Sequence, residues 1–152
     1  MSTEYTVVAS ADMDAPPDRV YAIIADYHNG HPHILPKQFR NFAVDKGGIG
    51  AGTVIRFEVR ALGQTQQFRG FVTEPEPGRV LVEEYSEPAP SKTTFLVEKS
   101  PSGPGTRVTF TTEMTSRKGL AGTIERFMST RFMKKLYAEE LALLAARART
   151  KA

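Results

Sequence analysis

The chain has 152 residues, 40% of them apolar and 24% charged, enough to bury roughly 70% of its unfolded surface around one core. That composition excludes a disordered tail, a collagen-like repeat and a coiled-coil rod. No cysteine is present, which removes disulfides, thiolate nucleophiles, cysteine zinc sites and iron–sulfur clusters together. The net charge of +3 is uneven, with residues 1–116 carrying 11 basic and 14 acidic side chains and residues 117–152 carrying 9 and 3.

Residues 5–13 are rich in Val, Thr and Tyr and stop at Asp14-Ala15-Pro16-Pro17, which predicts a first strand ended by two prolines. Pro17 suits a first helical turn, and Val20, Tyr21, Ile23 and Ile24 recur at helical spacing, so a short helix is expected over residues 17–26. Residues 31–35, bracketed by Pro32 and Pro36, allow a turn or a short second helix. From Phe39 to Met114 the period changes to two. Strands are expected near residues 39–45, 53–62, 64–74, 79–85, 91–99 and 106–114, each separator containing Gly or Pro, as in an antiparallel meander.

The Gly63-Gln64 pair predicts a two-residue hairpin turn that sets Leu62 opposite Thr65, Val59 opposite Phe68, Phe57 opposite Gly70 and Glu58 opposite Arg69. One face then carries Ile55, Phe57, Val59, Phe68 and Val72, and the other Arg56, Glu58, Arg60, Gln67 and Arg69. The dry face needs a cover, and the only long helical segment is the tail, about residues 119–149. Leu120, Ile124, Phe127, Met133, Tyr137, Leu141, Leu144 and Ala148 form its expected packing stripe. Phe132, Leu136 and Leu143 lie beside that stripe, and a cavity, a partner or a kink near Ser129-Thr130 would each account for them.

A strand, short helices, an antiparallel run and a long final helix describe a sheet wrapped around a helix. Ala15-Pro16-Pro17-Asp18-Arg19-Val20-Tyr21 before Ile23-Ile24-Ala25-Asp26, then Gly50-Ala51-Gly52-Thr53, Glu74-Pro75-Glu76-Pro77-Gly78-Arg79, Gly105-Thr106-Arg107-Val108-Thr109 and Glu140-Leu141-Ala142-Leu143-Leu144 carry a resemblance in fixed order. The sequence resembles the SRPBCC (START-like) superfamily, and within it the polyketide cyclase/dehydrase-type group. The resemblance implies an α+β helix-grip fold over residues 1–152 as a single domain, with six to seven curved antiparallel strands around the C-terminal helix. It also implies a deep apolar cavity for a lipid, polyketide or other hydrophobic molecule. Where members often carry a Trp-containing segment, this chain has Tyr27-His28-Asn29-Gly30-His31-Pro32-His33.

The three histidines, His28, His31 and His33, invite a metal or acid–base reading, but they sit on a proline-broken turn without a local carboxylate. A polar rim at the cavity mouth is the expectation, with no metal. Gly47-Gly48-Ile49-Gly50-Ala51-Gly52 lies between strands and does not match a dinucleotide fingerprint; P-loop, nucleophile-elbow and HExxH signatures are missing too, and no motif calls for a cofactor. Glu83 and Glu84 are adjacent on one strand, so alternation sends one inward unless the strand end is bulged or solvated. If Val72 opposes Leu81, the inward set is Leu81, Glu83 and Tyr85, and a carboxylate in an apolar pocket could serve as an acid or base.

Candidate catalytic residues are therefore Glu83, Tyr85 and His31. Candidate ligand-lining residues are Ile34, Ile55, Phe57, Val59, Phe68, Leu81, Tyr85, Phe95, Phe110 and Phe127. The expected function is binding or transport of a hydrophobic small molecule, lipid-, polyketide- or quinone-like. The alternatives are a cyclase/dehydratase using the same cavity, and contact with an acidic membrane surface or protein partner through the basic tail. Nucleic acid is not an expected partner, because the basic residues are not interleaved with aromatics in a recognised motif. The chain reads as monomeric, or homodimeric through Phe132, Leu136 and Leu143, and as cytoplasmic.

Overall fold

A computed structural model describes residues 2–61 and 63–150. Seven strands form one antiparallel sheet: β1 (Ser2–Met13), β2 (Phe39–Lys46), β3 (Val54–Ala61), β4 (Gln64–Glu76), β5 (Val80–Glu87), β6 (Ser91–Lys99) and β7 (Thr106–Arg117), in the spatial order β1-β7-β6-β5-β4-β3-β2. Helix α1 (Pro17–Ala25) and a 3-10 turn (His31–Ile34) follow β1, and the 32-residue α2 (Gly119–Thr150) closes the fold. This is the helix-grip architecture, a curved sheet around a long helix. Consecutive strands from β2 to β7 pair as hairpins, and β1 closes onto β7, with Tyr5 opposite Met114.

Alternation fixes which face is dry. Ile55, Phe57, Val59, Val72, Leu81, Phe95, Val97, Val108 and Phe110 are buried beneath α1 and the C-terminal half of α2, which contributes Tyr137, Leu141, Leu144 and Ala148. Pro17 opens α1 at a position where its missing N–H costs nothing, and the buried Val20, Tyr21, Ile23 and Ile24 are its apolar stripe.

Two register expectations are corrected. Phe57 faces Phe68, Ile55 faces Gly70 and Glu58 faces Gln67, two residues from the expected hairpin pairing. The loop is closed by Ala61 and Gln64, so Gly63, with φ +77°, takes the second loop position rather than the first; Leu62, expected opposite Thr65, lies outside the described residues. A shift of two preserves the faces, so the dry and wet sets stand. Instead of the expected Glu58/Arg69 opposition, Arg56 and Arg69 lie opposite each other, and Asp45 of β2 reconciles them at 2.6 Å and 3.5 Å. On β5, Val72 likewise opposes Glu83 rather than Leu81, and Leu81, Glu83 and Tyr85 keep the inward face.

The packing stripe of α2 is also corrected. Leu120, Ile124 and Phe127 are 77%, 52% and 61% exposed. The step from Phe127 to Met133 is six residues, well short of two full turns at 3.6 residues each, so it carries the stripe to another side of the helix. The helix is unbroken through Ser129-Thr130. Phe132 is half-buried and Leu136 buried, so they form no dimer patch; of that trio only Leu143 is exposed.

Candidate functional site

Between the sheet and the first two-thirds of α2 lies a cavity of about 490 Å³. Ile55, Phe57 and Val59 of β3, Phe68 of β4, Tyr85 of β5 and Phe95 of β6 form its apolar wall. The exposed members of its lining mark the mouth: Gln64 and Gln66 at the β3–β4 hairpin, Pro88 to Pro90 between β5 and β6, and Glu125 and Met128 of α2. The buried members that carry polar groups, His31, Glu83, Thr93, Thr112, Tyr137 and Glu140, form the inner end.

The inner end is polar and almost dry. Glu83 is 4% exposed, and its neighbour Glu84 is exposed. One Glu83 oxygen accepts the Tyr27 hydroxyl at 2.6 Å, and the other accepts the Tyr85 hydroxyl. Burial, reinforced by the charge on Glu83, holds both phenols well above their ordinary range, so both remain donors at neutral pH. Gly70 makes room for this arrangement, since a Cβ there would lie 2.7 Å from the Tyr85 ring.

His31 stands between two carboxyl groups. Its Nε2 lies 3.8 Å from Glu83 Oε2 and 3.9 Å from Glu140 Oε2. Its Nδ1 is 2.7 Å from the Ile24 carbonyl, which can only accept, so Nδ1 carries a proton. The ring stacks on Tyr27 at 4.6 Å and meets the edge of Phe95 at 5.7 Å. Sequence sets this geometry locally: Asp26 Oδ1 accepts the amides of His28 and Asn29, and the Asp26 carbonyl accepts those of Gly30 and His31. The chain turns so tightly that a Cβ on Gly30 would come within 2.4 Å of the Ile23 carbonyl oxygen.

Glu140 of α2 is 3% exposed. Burial, with the Glu83 charge adding to it, pushes its carboxyl well above the usual carboxylate range. Beside it, Tyr137, Thr112 and Thr93 are linked hydroxyl to hydroxyl across α2, β7 and β6. The cluster thus offers an acceptor carboxylate, an imidazole and a second carboxyl group held above its usual range at one end of an apolar chamber, groups able to orient a polar substituent or to move protons.

Of the residues singled out from sequence, Glu83, Tyr85, His31, Ile55, Phe57, Val59, Phe68 and Phe95 line the cavity. Four do not. Ile34, Leu81 and Phe110 are fully buried behind the wall, where Phe110 packs between Phe95 and Tyr137, and Phe127 lies on the outer side of α2. His31 belongs to the inner end rather than to a polar rim, and His28 and His33 are exposed. Among the described residues no group of three metal-ligating side chains converges on one point. Glu140, Tyr27 and Tyr137 were missed. Glu140 had a signal, since it sits within the step from Tyr137 to Leu141 and Leu144, on the side of the helix that must be buried.

The sequence matches the family model described as polyketide cyclase / dehydrase and lipid transport over residues 4–149. The chain belongs to this family. Among solved structures, the KanY protein is similar at 23% identity and a TM-score of 0.84, over 97% of this chain and 99% of that one. TTHA0849 from Thermus thermophilus follows at 22% and 0.76, over 97% and 99%. The Zhui aromatase/cyclase from Streptomyces sp. R1128 is 17% identical with a TM-score of 0.77, over 97% and 94%. At these identities the likeness concerns the fold. No functionally curated protein matches the sequence. The polyketide cyclase/dehydrase and lipid transport family supports hydrophobic ligand binding or cyclase activity at its own level, and no helix among the described residues is long and apolar enough to cross a membrane.

Proposed function

We propose that the protein binds a hydrophobic small molecule in this cavity, with the apolar body against Phe57, Val59, Phe68 and Phe95 and a polar substituent at Glu83, His31 and Glu140. The observation that carries this reading is a chamber of about 490 Å³ with an apolar wall, an exposed mouth and a buried polar end. Native mass spectrometry of protein purified from its own host, followed by denaturation and extraction, is expected to release a stoichiometric apolar molecule. Recovery of the same adduct from a Val59→Trp variant, whose side chain would occupy the chamber, would overturn the assignment to this cavity.

The buried acid–base set favours a second reading, an enzyme of cyclase/dehydratase type. Glu83 or His31 would take a proton from carbon next to a substrate carbonyl. Glu140 would give its proton to the departing hydroxyl, which leaves as water as the carbon–carbon double bond forms. Glu83→Gln is then expected to lower turnover by about 10²-fold or more while binding persists. Unchanged turnover would exclude Glu83 as the base.

The outer side of α2 supports a separate contact with an anionic membrane surface. Leu120, Ile124 and Phe127 are exposed, Arg131 lies over the Phe127 ring at 5.7 Å, and the exposed Lys134 and Lys135 follow. An apolar patch joined to basic side chains matches acidic lipid. Retention on phosphatidylglycerol vesicles at low salt, lost at high salt, is the expected result; no retention at low salt would remove this contact.

A further inference from the structure

The charge of the cavity lining is one-sided. Glu83, Glu125 and Glu140 line it, and among its described residues there is no lysine or arginine. Among the described residues of the lining, His31 alone can carry positive charge. A chamber built to hold a fatty acid or another organic anion needs a fixed cation or several free donors at its polar end. Here the two tyrosine hydroxyls nearest that end are already committed to Glu83.

Glu140 supplies a second, independent observation. It is only 3% exposed, it faces the cavity, and no hydrogen bond joins it to any described residue; His31 Nε2, at 3.9 Å, is too distant for one. A buried carboxyl group without a partner is costly unless something else satisfies it. His31 Nε2 lies between the two carboxyl groups, 3.8 Å from Glu83 Oε2 and 3.9 Å from Glu140 Oε2. Because His31 Nδ1 carries the ring proton, Nε2 of the neutral ring is a third acceptor.

We infer that the cavity selects a hydrophobic amine, whose ammonium group donates to Glu83, Glu140 and His31 at the inner end while its apolar body fills the aromatic chamber. A primary ammonium has three donors for three acceptors. An anionic headgroup would find only the Glu140 carboxyl and one spare proton of the linked Tyr137, Thr112 and Thr93 hydroxyls, with Glu83 set against it. A neutral alcohol of equal length would satisfy one acceptor and leave the others.

This inference rests on ligand binding in the cavity, so its test separates the two. Octylamine, octan-1-ol and octanoate have apolar chains equal to within one carbon and differ at the headgroup; each is titrated into the intact protein at pH 7 by isothermal calorimetry. Octylamine is expected to bind at least about tenfold more tightly than octanol, with octanoate weakest, about 1.4 kcal/mol for each tenfold step. In Glu83→Gln and Glu140→Gln, each close to isosteric, the ratio of octylamine to octanol affinity is expected to shrink. Equal affinities, or octanoate binding best, would overturn the amine inference and leave the binding cavity standing. Failure of all three to bind would overturn the binding reading itself. An amine preference untouched in both variants would overturn the assignment to these carboxyl groups.

Discussion

Gly30 and Glu140 show how single side chains hold the inner end of the cavity. At Gly30 the obstacle to a side chain is the Ile23 backbone, which cannot rotate away as a flexible side chain would. Gly30→Ala is therefore expected to destabilise by about 1–3 kcal/mol and to move His31, whose position depends on the same turn. Chemical denaturation measures the first effect, and the His31 imidazole NMR shift the second. Glu140 makes the opposite kind of contribution. Its folded-state pKa lies above the ordinary 4.5, so above that pH the unfolded chain loses a proton that the folded protein keeps. Stability falls as pH rises through this window, by up to about 1.4 kcal/mol per pH unit from this one group. Glu140→Gln should remove that component: the variant gains on the wild type as pH rises above 4.5, and the gap closes at and below 4.5. Parallel stability curves for the two proteins would contradict the raised pKa.

Among the elements, β3, β4 and α2 show which readings of sequence survive packing. Alternation in β3 and β4 assigned the faces correctly even though the hairpin pairing was off by two, because the face depends on parity while the pairing depends on where the turn is centred. In α2 the apolar positions were legible, but their grouping into one stripe joined two sides of the helix across the step from Phe127 to Met133. The N-terminal patch contributes little to the fold. Replacing Leu120, Ile124 and Phe127 together by Gln should change stability by less than about 0.5 kcal/mol per site, and thermal unfolding reads this directly. A large loss would mean that these side chains are buried in solution.

For the molecule as a whole, fold was more legible than site. Strand periodicity, proline and glycine punctuation and the long tail lead to the helix grip, because these signals are local. The cluster is not local: Tyr27, His31, Glu83 and Glu140 come from α1's end, the 3-10 turn, β5 and α2, and only the completed sheet brings them together. The inward direction of Glu83 rested on strand parity, and the burial of Glu140 on helix phase. That Phe110 is core while Phe95 lines space depends on depth, which periodicity does not encode. The vacant volume also makes a prediction. Val59→Phe adds bulk where there is room, so it should alter stability by under about 1.5 kcal/mol while weakening octan-1-ol binding measurably in calorimetry.

The pairing of β1 with β7 orders events during synthesis. Residues 2–13 leave the ribosome before the other strands, yet among the described residues they pair with Thr106–Arg117 alone, and the carboxyl group of Glu140 follows later still. Until β7 emerges, β1 has no strand partner, and until α2 docks the sheet has an uncovered apolar face, the exposure that invites chaperone capture or self-association. The cavity is completed only when α2 joins the sheet, and its contents can be fixed only after that helix docks.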